Sequence, residues 1–426
     1  MSGHEERSTV DFRVGASSPL GQGLRRHWVP ACFSHDLPQP DCDPVGLRLL
    51  GERFVAFRDS AGAIGILDEF CPHRRASLVY GRNENGGLRC LWHRWKFGVD
   101  GQVHETPNTT DCTLRERVRA KAYPVRESGG IVWTYLGETG AEPAFHEFGW
   151  SKVGDNRRLM CAVDLDCNFS KGLEALMDSS HVSLLHADSI KKSPVFRSSI
   201  PARPSQDHID AAPELRIETT DFGFHYVSLR RGEAERYQAR LSVFVAPYLC
   251  FVAPENSAFL CVPRDDTHMR MYIIAWSPRI PITPALRADW VRFMGLDPQV
   301  LSACGLLPTG PAGPIADQNR FVQDRRGMRA GETYSGLPGL TAEDAAMMTS
   351  IPGISSYVGE HLTASDAAIV QLRRTLWKLA RDTGDIPCGF KMGVSPEAIN
   401  SCARVLSNPN DWREMIGYLP RAPATA

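Results

Sequence analysis

The sequence predicts an α+β protein: a short N-terminal segment (residues 1–24), an all-β domain (25–150), and a domain (151–426) in which helices cover an antiparallel sheet. Three observations carry this. The chain has 426 residues, more than one hydrophobic core usually serves. Strand and turn signals dominate up to about residue 145. After GETGAEPAFHEFGW the pattern changes to helical spacing mixed with longer strands.

In the first domain, RLLGERFVAFRD and GAIGILDEFC alternate short apolar runs with turn residues, and DSAG and NENGG have the composition of hairpin loops. The second domain opens on NFSKGLEALMDSSHVSLLH, which lacks strand alternation and spaces its apolar residues as a helix does, with Asn168 as N-cap. FHYVSLRR, ARLSVFVAPYLCFVAP and HMRMYIIAWSP read as antiparallel strands. In TASDAAIVQLRRTLWKLARDTG, Ile369, Leu372, Leu376 and Leu379 share one helical face and Gly384 is the stop. Residues from about 300 to 355 mix Pro, Gly and Met with short polar runs, an irregular stretch of the kind that lines sites. No repeat and no low-complexity tract interrupts this order.

Composition excludes several classes. Lys plus Arg total 48 against 49 Asp plus Glu, with 42% hydrophobic residues, so no basic surplus asks for nucleic acid or anionic lipid. The start MSGHEERSTV lacks the basic and apolar regions of a leader, and no window approaches about eighteen uninterrupted apolar residues. The expectation is a cytoplasmic protein. Twelve cysteines are too dilute for a disulfide framework, and most, such as Cys250 and Cys261, sit in apolar strand-like text. Cys71 and Cys90 alone stand among metal-ligand types.

The text CPHRRASLVYGRNENGGLRCLWHRWKF presents Cys71-x-His73 and, sixteen residues later, Cys90-x-x-His93. Tetrahedral zinc accepts two thiolates and two imidazoles, so a zinc-stabilised binding protein is the alternative from another class. Zinc sites more often pair Cys with Cys and His with His. Here each loop carries one of each, which suits a [2Fe-2S] cluster with both thiolates on one iron and both imidazoles on the other. Such a centre relays electrons from a ferredoxin or a flavin or iron-sulfur reductase.

Cys71-Pro72-His73-Arg74, Cys90-Leu91-Trp92-His93, the trailing Trp95-Lys96-Phe97 and Asp100-Gly101 resemble the Rieske non-haem iron ring-hydroxylating oxygenases. Family members commonly have Tyr-His-Gly in the second loop, where this chain has Trp92-His93-Arg94; the departure touches packing around the cluster rather than its ligands. The resemblance implies an N-terminal Rieske domain, a helix-grip catalytic domain, O2 as co-substrate and NAD(P)H spent by a separate reductase.

A second constellation lies downstream in Glu174-x3-Asp178-x2-His181-x4-His186. Asp178 and His181 share a helical face at i, i+3. His186 follows His181 at about 140° on a regular helix, so both reach one ion only where the helix distorts or ends between them. Isolated, such a pair is more often polar surface and a core histidine; beside a Rieske-like motif the metal reading prevails. Two imidazoles and one carboxylate on one face of ferrous iron leave neighbouring positions open for O2.

From Gly23 through Arg373 the chain resembles the phthalate-dioxygenase branch of that family, and through Gly339–Asp344 and EHLTASDAAIVQLRR this likeness makes Asp344 the third ligand, with Glu343 and Asp366 as fallbacks. It also implies that Asp178 is not a ligand but a bridge, bonding an iron histidine and a cluster histidine of the neighbouring subunit in a homotrimer or two stacked trimers. Members act on small aromatics, often carboxylated, by dihydroxylation, hydroxylation or oxidative dealkylation; an O- or N-demethylating monooxygenase uses the same ligands. A carboxylated substrate needs a buried cation, for which Arg240 is the candidate, with Arg197, Arg203 and Arg216 behind it. The basic stretch SIKKSPVFRSSIPARPSQD is expected near the site entrance or against an acidic reductase, and Val243, Val245, Phe251, Met347 and Met348 are expected as apolar walls.

Overall fold

The computed structural model describes residues 11–192, 212–232, 234, 236–306, 321–354, 359–381, 390 and 394–418. Arg197, Arg203, most of the basic stretch and Gly384 lie outside the described residues. The chain divides into two compact units. One comprises Val14–His146 with Pro263–Asp265; the other takes the described residues of Glu147–Val262, of Asp266–Ala426 and of the first thirteen.

The first unit is built of short antiparallel strands. β1 (Trp28–Phe33) precedes β2 (Val45–Leu49), β3 (Glu52–Arg58) and β4 (Ile64–Asp68); β5 (Arg82–Asn83), β6 (Leu88–Arg89), β7 (Lys96–Phe97) and β8 (Val103–Glu105) follow, then β9 (Ala122–Tyr123), β10 (Val125–Ser128) and β11 (Ile131–Tyr135). They form three sheets, β1-β11-β10, β2-β3-β4-β9 and β5-β6-β7-β8. Both expected hairpin loops occur. Between β3 and β4, Asp59 Oδ1 accepts from the N–H groups of Ala61 and Ala63. Between β5 and β6, Asn85 and Gly86 both take positive φ, 51° and 77°, the type I′ geometry that an Asn-Gly pair favours. Val55, Phe57, Leu67, Leu78, Leu88, Trp95 and Phe97 pack into one core that also holds Cys71 and Cys90.

The second unit carries an eight-stranded antiparallel sheet. Its members are β12 (Arg158–Leu165), β13 (Glu214–Thr220), β14 (Gly223–Arg231), β15 (Tyr237–Val245), β16 (Leu249–Phe251), β17 (Ser257–Pro263), β18 (Met269–Trp276) and β19 (Cys402–Leu406). The order is β12-β18-β17-β16-β15-β14-β13, with β19 added to β15. β14 and β15 pair so that Tyr226 faces Ser242 and Ser228 faces Arg240, which sets a row of polar side chains on a largely buried pair of strands.

Six helices matter to the site: α1 (Phe169–Met177), α2 (Ser180–Leu184), α3 (Ala187–Lys192), α4 (Pro284–Met294), α5 (Leu340–Ser350) and α6 (Ala367–Arg381). Asn168 caps α1 by accepting from Ser170 N–H, as its residue type predicts. α6 buries Ala368, Leu372, Leu376 and Leu379, each leucine worth about 1.5–3 kcal/mol on removal from water, while Ile369 is only partly covered. Arg373 ties α6 to α1 through Glu174 (2.9 Å) and to Glu360 (2.7 Å). Among the described residues no helix is long and apolar enough to cross a membrane.

The sequence places residues 168–186 on a helix with an irregularity between His181 and His186; the structure breaks it twice. α1 stops at Asp178, whose backbone is extended (φ −84°, ψ 112°). Two carbonyls are held from β14: Tyr226 OH donates to Met177 O (2.9 Å) and Arg230 Nη2 to Ser179 O (2.6 Å). The second break, between α2 and α3, is the irregularity that the His181–His186 spacing requires.

Candidate metal centres

The two Cys–His loops of the first unit are built alike. In each, the Cys N–H is bonded to the residue five positions on, Cys71 to Ala76 O and Cys90 to Trp95 O (both 2.9 Å), and its carbonyl accepts from the residue four on, Arg75 at 2.8 Å and Arg94 at 3.0 Å. Arg75 and Arg94 each take φ +61°. Trp92-His93-Arg94 therefore keeps a left-handed turn that glycine would adopt without strain.

These turns bury both sulfurs and leave both imidazoles partly exposed. His73 and His93 meet edge to face at 4.5 Å; Trp95 stacks on His73 (4.7 Å, 6°) and Trp92 on His93 (5.3 Å, 24°). Trp95 is anchored by its Nε1–H to Asn108 Oδ1 at 2.7 Å, and Arg74 lies over Trp92 at 4.6 Å. Burial, with Cys90 beside it, pushes the Cys71 thiol up to about 11, although the N–H groups of His73 and Arg74 bond its sulfur and pull the other way. His73 is lowered by desolvation, His93 and Arg74, which keeps it a neutral donor.

The donors do not converge on one point. Among the described residues, the one set of three or more His, Cys, Asp or Glu ligand atoms within 4.8 Å of one another is His181, His186 and Asp344. A tetrahedral zinc would hold all four ligand atoms of Cys71, His73, Cys90 and His93 within about 4 Å of one another. Thiol beside thiol and imidazole beside imidazole instead fit a cluster with a sulfur-bound and a nitrogen-bound iron.

In the second unit, His181 comes from α2, His186 from the break before α3 and Asp344 from α5. Asp344 Oδ1 stands 3.0 Å from His186 Nε2 and 3.6 Å from His181 Nε2, and the two rings cross at 80°. The opposite nitrogens also face carboxylates: Asp178 Oδ2 is 3.3 Å from His181 Nδ1, and Glu343 Oε2 is 2.8 Å from His186 Nδ1. Burial lowers the pKa of His186, but Asp344 and Glu343 outweigh it and raise it to about 9, so the pocket draws positive charge. Asp178 is pushed up by burial yet held below its ordinary value by His181 and the N–H of Ser180. The donor set and its field fit a divalent metal ion with two imidazoles and one carboxylate.

A cavity adjoins this set, lined by Asp178, His181, His186 and Asp344 together with Tyr226, Arg240 and Ser242. Val252, Phe259, Ile273, Trp290 and Phe293 add apolar wall. Arg240 sits in mid-strand rather than at the strand start, and desolvation lowers its pKa, with Tyr226 opposing. Among the described residues no carboxylate pairs with it.

Several expected residues are elsewhere. Val243, Val245 and Phe251 do not line the cavity: Arg240 and Ser242 occupy alternate positions on β15, so Val243 and Val245 point to the other face, and Phe251 packs with Phe148, Trp150 and Trp276. Met347 is 46% exposed, and Met348 lines a smaller neighbouring pocket. Arg216 pairs with Glu214 and bonds Asn410, away from the cavity. Asp366 closes a capping box with Thr363 at the start of α6, and Glu343 occupies the far nitrogen of His186 instead of the shared centre. Sequence reasoning missed Tyr226, Arg230 and Ser335. The signal for the first two was Tyr226, Ser228 and Arg230 at period two in a strand, polar positions on one face.

Residues 27–124 match the Rieske [2Fe-2S] domain family, and residues 134–418 match the family described as LigXa C-terminal domain like. The phthalate 4,5-dioxygenase oxygenase subunit of Pseudomonas putida is 37% identical over 423 residues, 96% of this chain and 94% of that one. The 5,5'-dehydrodivanillate O-demethylase oxygenase subunit of Sphingobium sp. (strain NBRC 103272 / SYK-6) is 34% identical over 229 residues, 52% of this chain and 51% of that one. The crystal structure of dicamba monooxygenase bound to dicamba superposes with a TM-score of 0.59 at 17% identity, covering 84% of this chain and 98% of that one, which shows a shared fold. With two donor sets that suit a [2Fe-2S] cluster and a mononuclear iron, and a relative matched nearly end to end, this chain belongs to the Rieske non-haem iron oxygenases, enzymes that use O2.

Proposed function

We propose that this chain is the terminal oxygenase of a multicomponent system and hydroxylates a small aromatic carboxylate, adding one or two oxygen atoms. The observation that carries the substrate class is Arg240: a guanidinium without a carboxylate partner among the described residues, in the same cavity as His181, His186 and Asp344. A largely desolvated cation without a carboxylate partner costs free energy that an anionic ligand repays through charge-assisted bonds. Phthalate, in the name of the P. putida relative, is such an anion.

In this reading Cys71, His73, Cys90 and His93 hold the cluster, and His181, His186 and Asp344 hold the iron. When bound, the cluster relays single electrons and ferrous iron activates O2. The chain's own residues do the positioning. Tyr226 and Arg230 fix the turn that carries Asp178, and Asp178 orients His181. By family likeness Asp178 also bonds the cluster histidine of a neighbouring subunit, in a homotrimer or two stacked trimers, and a separate ferredoxin or reductase supplies electrons from NAD(P)H. Trp290, Phe293, Phe259 and Ile273 exclude water around an aromatic ring.

A second reading, oxidative O- or N-demethylation, is supported by the O-demethylase among the relatives. One experiment tests both. Oxygen uptake is followed with NADH and a surrogate reductase against aromatic acids and their methyl ethers, with ¹⁸O₂ as the oxidant. Label in ring hydroxyls marks hydroxylation; formaldehyde release marks demethylation. Uptake unchanged by every aromatic anion, but stimulated by neutral aromatics, overturns the carboxylate assignment.

A further inference from the structure

Glu343 is not among the three converging donors, yet its side chain is only 3% exposed and both its oxygens are engaged. Oε2 lies 2.8 Å from His186 Nδ1 and accepts from Ser189 Oγ at 3.4 Å, while Oε1 accepts from Ser335 Oγ at 2.5 Å. The donors belong to three segments: the residue before α3, α3 itself, and the loop that leads into α5. His186 is thus held between consecutive residues of α5, with Glu343 on Nδ1 and Asp344 on Nε2. Its side chain is 2% exposed.

This arrangement selects the tautomer of a metal-bound His186. Nε2 points into the space shared with His181 and Asp344, and a metal ion held there would take its lone pair, which leaves the hydrogen on Nδ1, where Glu343 accepts it. We propose that Glu343 is the positioning residue that orients His186 and strengthens its donor nitrogen for the mononuclear metal. The inference rests on the assignment of His181, His186 and Asp344 as ligands. Asp178 has the corresponding place on His181, but at 3.3 Å and with 24% of its side chain exposed its hold is looser. The two histidines therefore differ: one is locked from inside the unit, the other by a partly open carboxylate. Glu343, with Ser335 and Ser189 locked onto it, gives the site a rigid half.

A merely structural role for Glu343 would cost stability and leave metal affinity alone. The test uses the cluster-loaded full chain from which a mild chelator has removed the mononuclear metal, titrated with Co(II). Glu343→Gln keeps shape and the Ser335 contact but removes the charge; Glu343→Ala removes both. Expected are about tenfold weaker Co(II) binding for Gln and about a hundredfold for Ala, with shifted Co(II) ligand-field bands and an unchanged cluster spectrum. Should the Ala variant fail to fold, the Gln variant decides alone. Wild-type Co(II) affinity and wild-type bands in a folded Gln variant overturn the proposal. Asp344→Ala separates the two levels: if that variant also binds Co(II) normally, the ligand assignment itself falls, whereas loss there with no change at Glu343 sinks only this inference.

Discussion

Arg240 reaches the cavity from the middle of β15, among the neutral polar side chains of Tyr226 and Ser242, and brings a cation to the same cavity as the His/Asp set and the apolar wall. Charge-assisted hydrogen bonds contribute about 1.5–3 kcal/mol, so Arg240→Gln is expected to lower kcat/KM for an aromatic carboxylate by about 10- to 100-fold. The corresponding methyl ester or amide should be little affected, and equal losses on charged and neutral substrates would refute a carboxylate anchor. Asp178 poses a different test. Asp178→Asn keeps size and the bond from Ser180 N–H but removes the charge facing His181. Iron, sulfide and the cluster spectrum should stay at wild-type levels while NADH-driven turnover falls by two orders of magnitude or more, about the scale of losing a preorganised charged partner. Stopped-flow reduction of the cluster should be unchanged; a slowed reduction would place the defect before the cluster and count against the bridging role.

At the scale of elements, local turn chemistry explains why the Cys–His loops were legible and the apolar walls of the cavity were not. Cys71, His73, Cys90 and His93 lie close in sequence on two hairpin-like turns, so spacing alone brings them together. The Asp100-Gly101 turn between β7 and β8 belongs to the same local logic: Gly101 takes φ +78°, and a Cβ there would stand 2.0 Å from Ala120 O. Gly101→Ala is expected to cost about 2–4 kcal/mol and to appear as a lowered melting temperature with loss of the cluster's visible absorption on mild heating. His181 and His186 were readable too, because their spacing demands a helix break, and the break is there. Its twin at Asp178 was not readable, since Tyr226 and Arg230 reach it from a strand far away in sequence. Adjacent carboxylates defeated spacing as well. Glu343 and Asp344 are equivalent as text, and only their 100° separation around α5 puts one on each nitrogen of His186. The misplaced wall residues have the same origin: parity along β15 decides between Arg240 and Ser242 on one side and Val243 and Val245 on the other, and parity is set by register.

For the whole molecule, the proposed function requires electrons to pass from one centre to the other. The Cys–His loops belong to one compact unit and the His181, His186 and Asp344 set to the other, and the path proposed above runs between two different chains. Chain mixing distinguishes a path between subunits from one within a subunit. Cys90→Ser removes a cluster ligand and leaves the iron set intact; Asp344→Ala does the reverse. Each homo-oligomer should be inactive. When equal amounts of the two chains assemble at random into rings, a productive interface needs an Asp344→Ala chain as electron donor and a Cys90→Ser chain as acceptor. That pairing arises at half times half of the interfaces, so the mixture should recover about a quarter of wild-type turnover per ring. A path within one chain predicts none, because no chain in the mixture holds both centres. Native mass spectrometry establishes that mixed rings formed, and inactive mixed rings with the expected iron and sulfide content would contradict the inter-subunit path and remove the reason for Asp178 to face a neighbour.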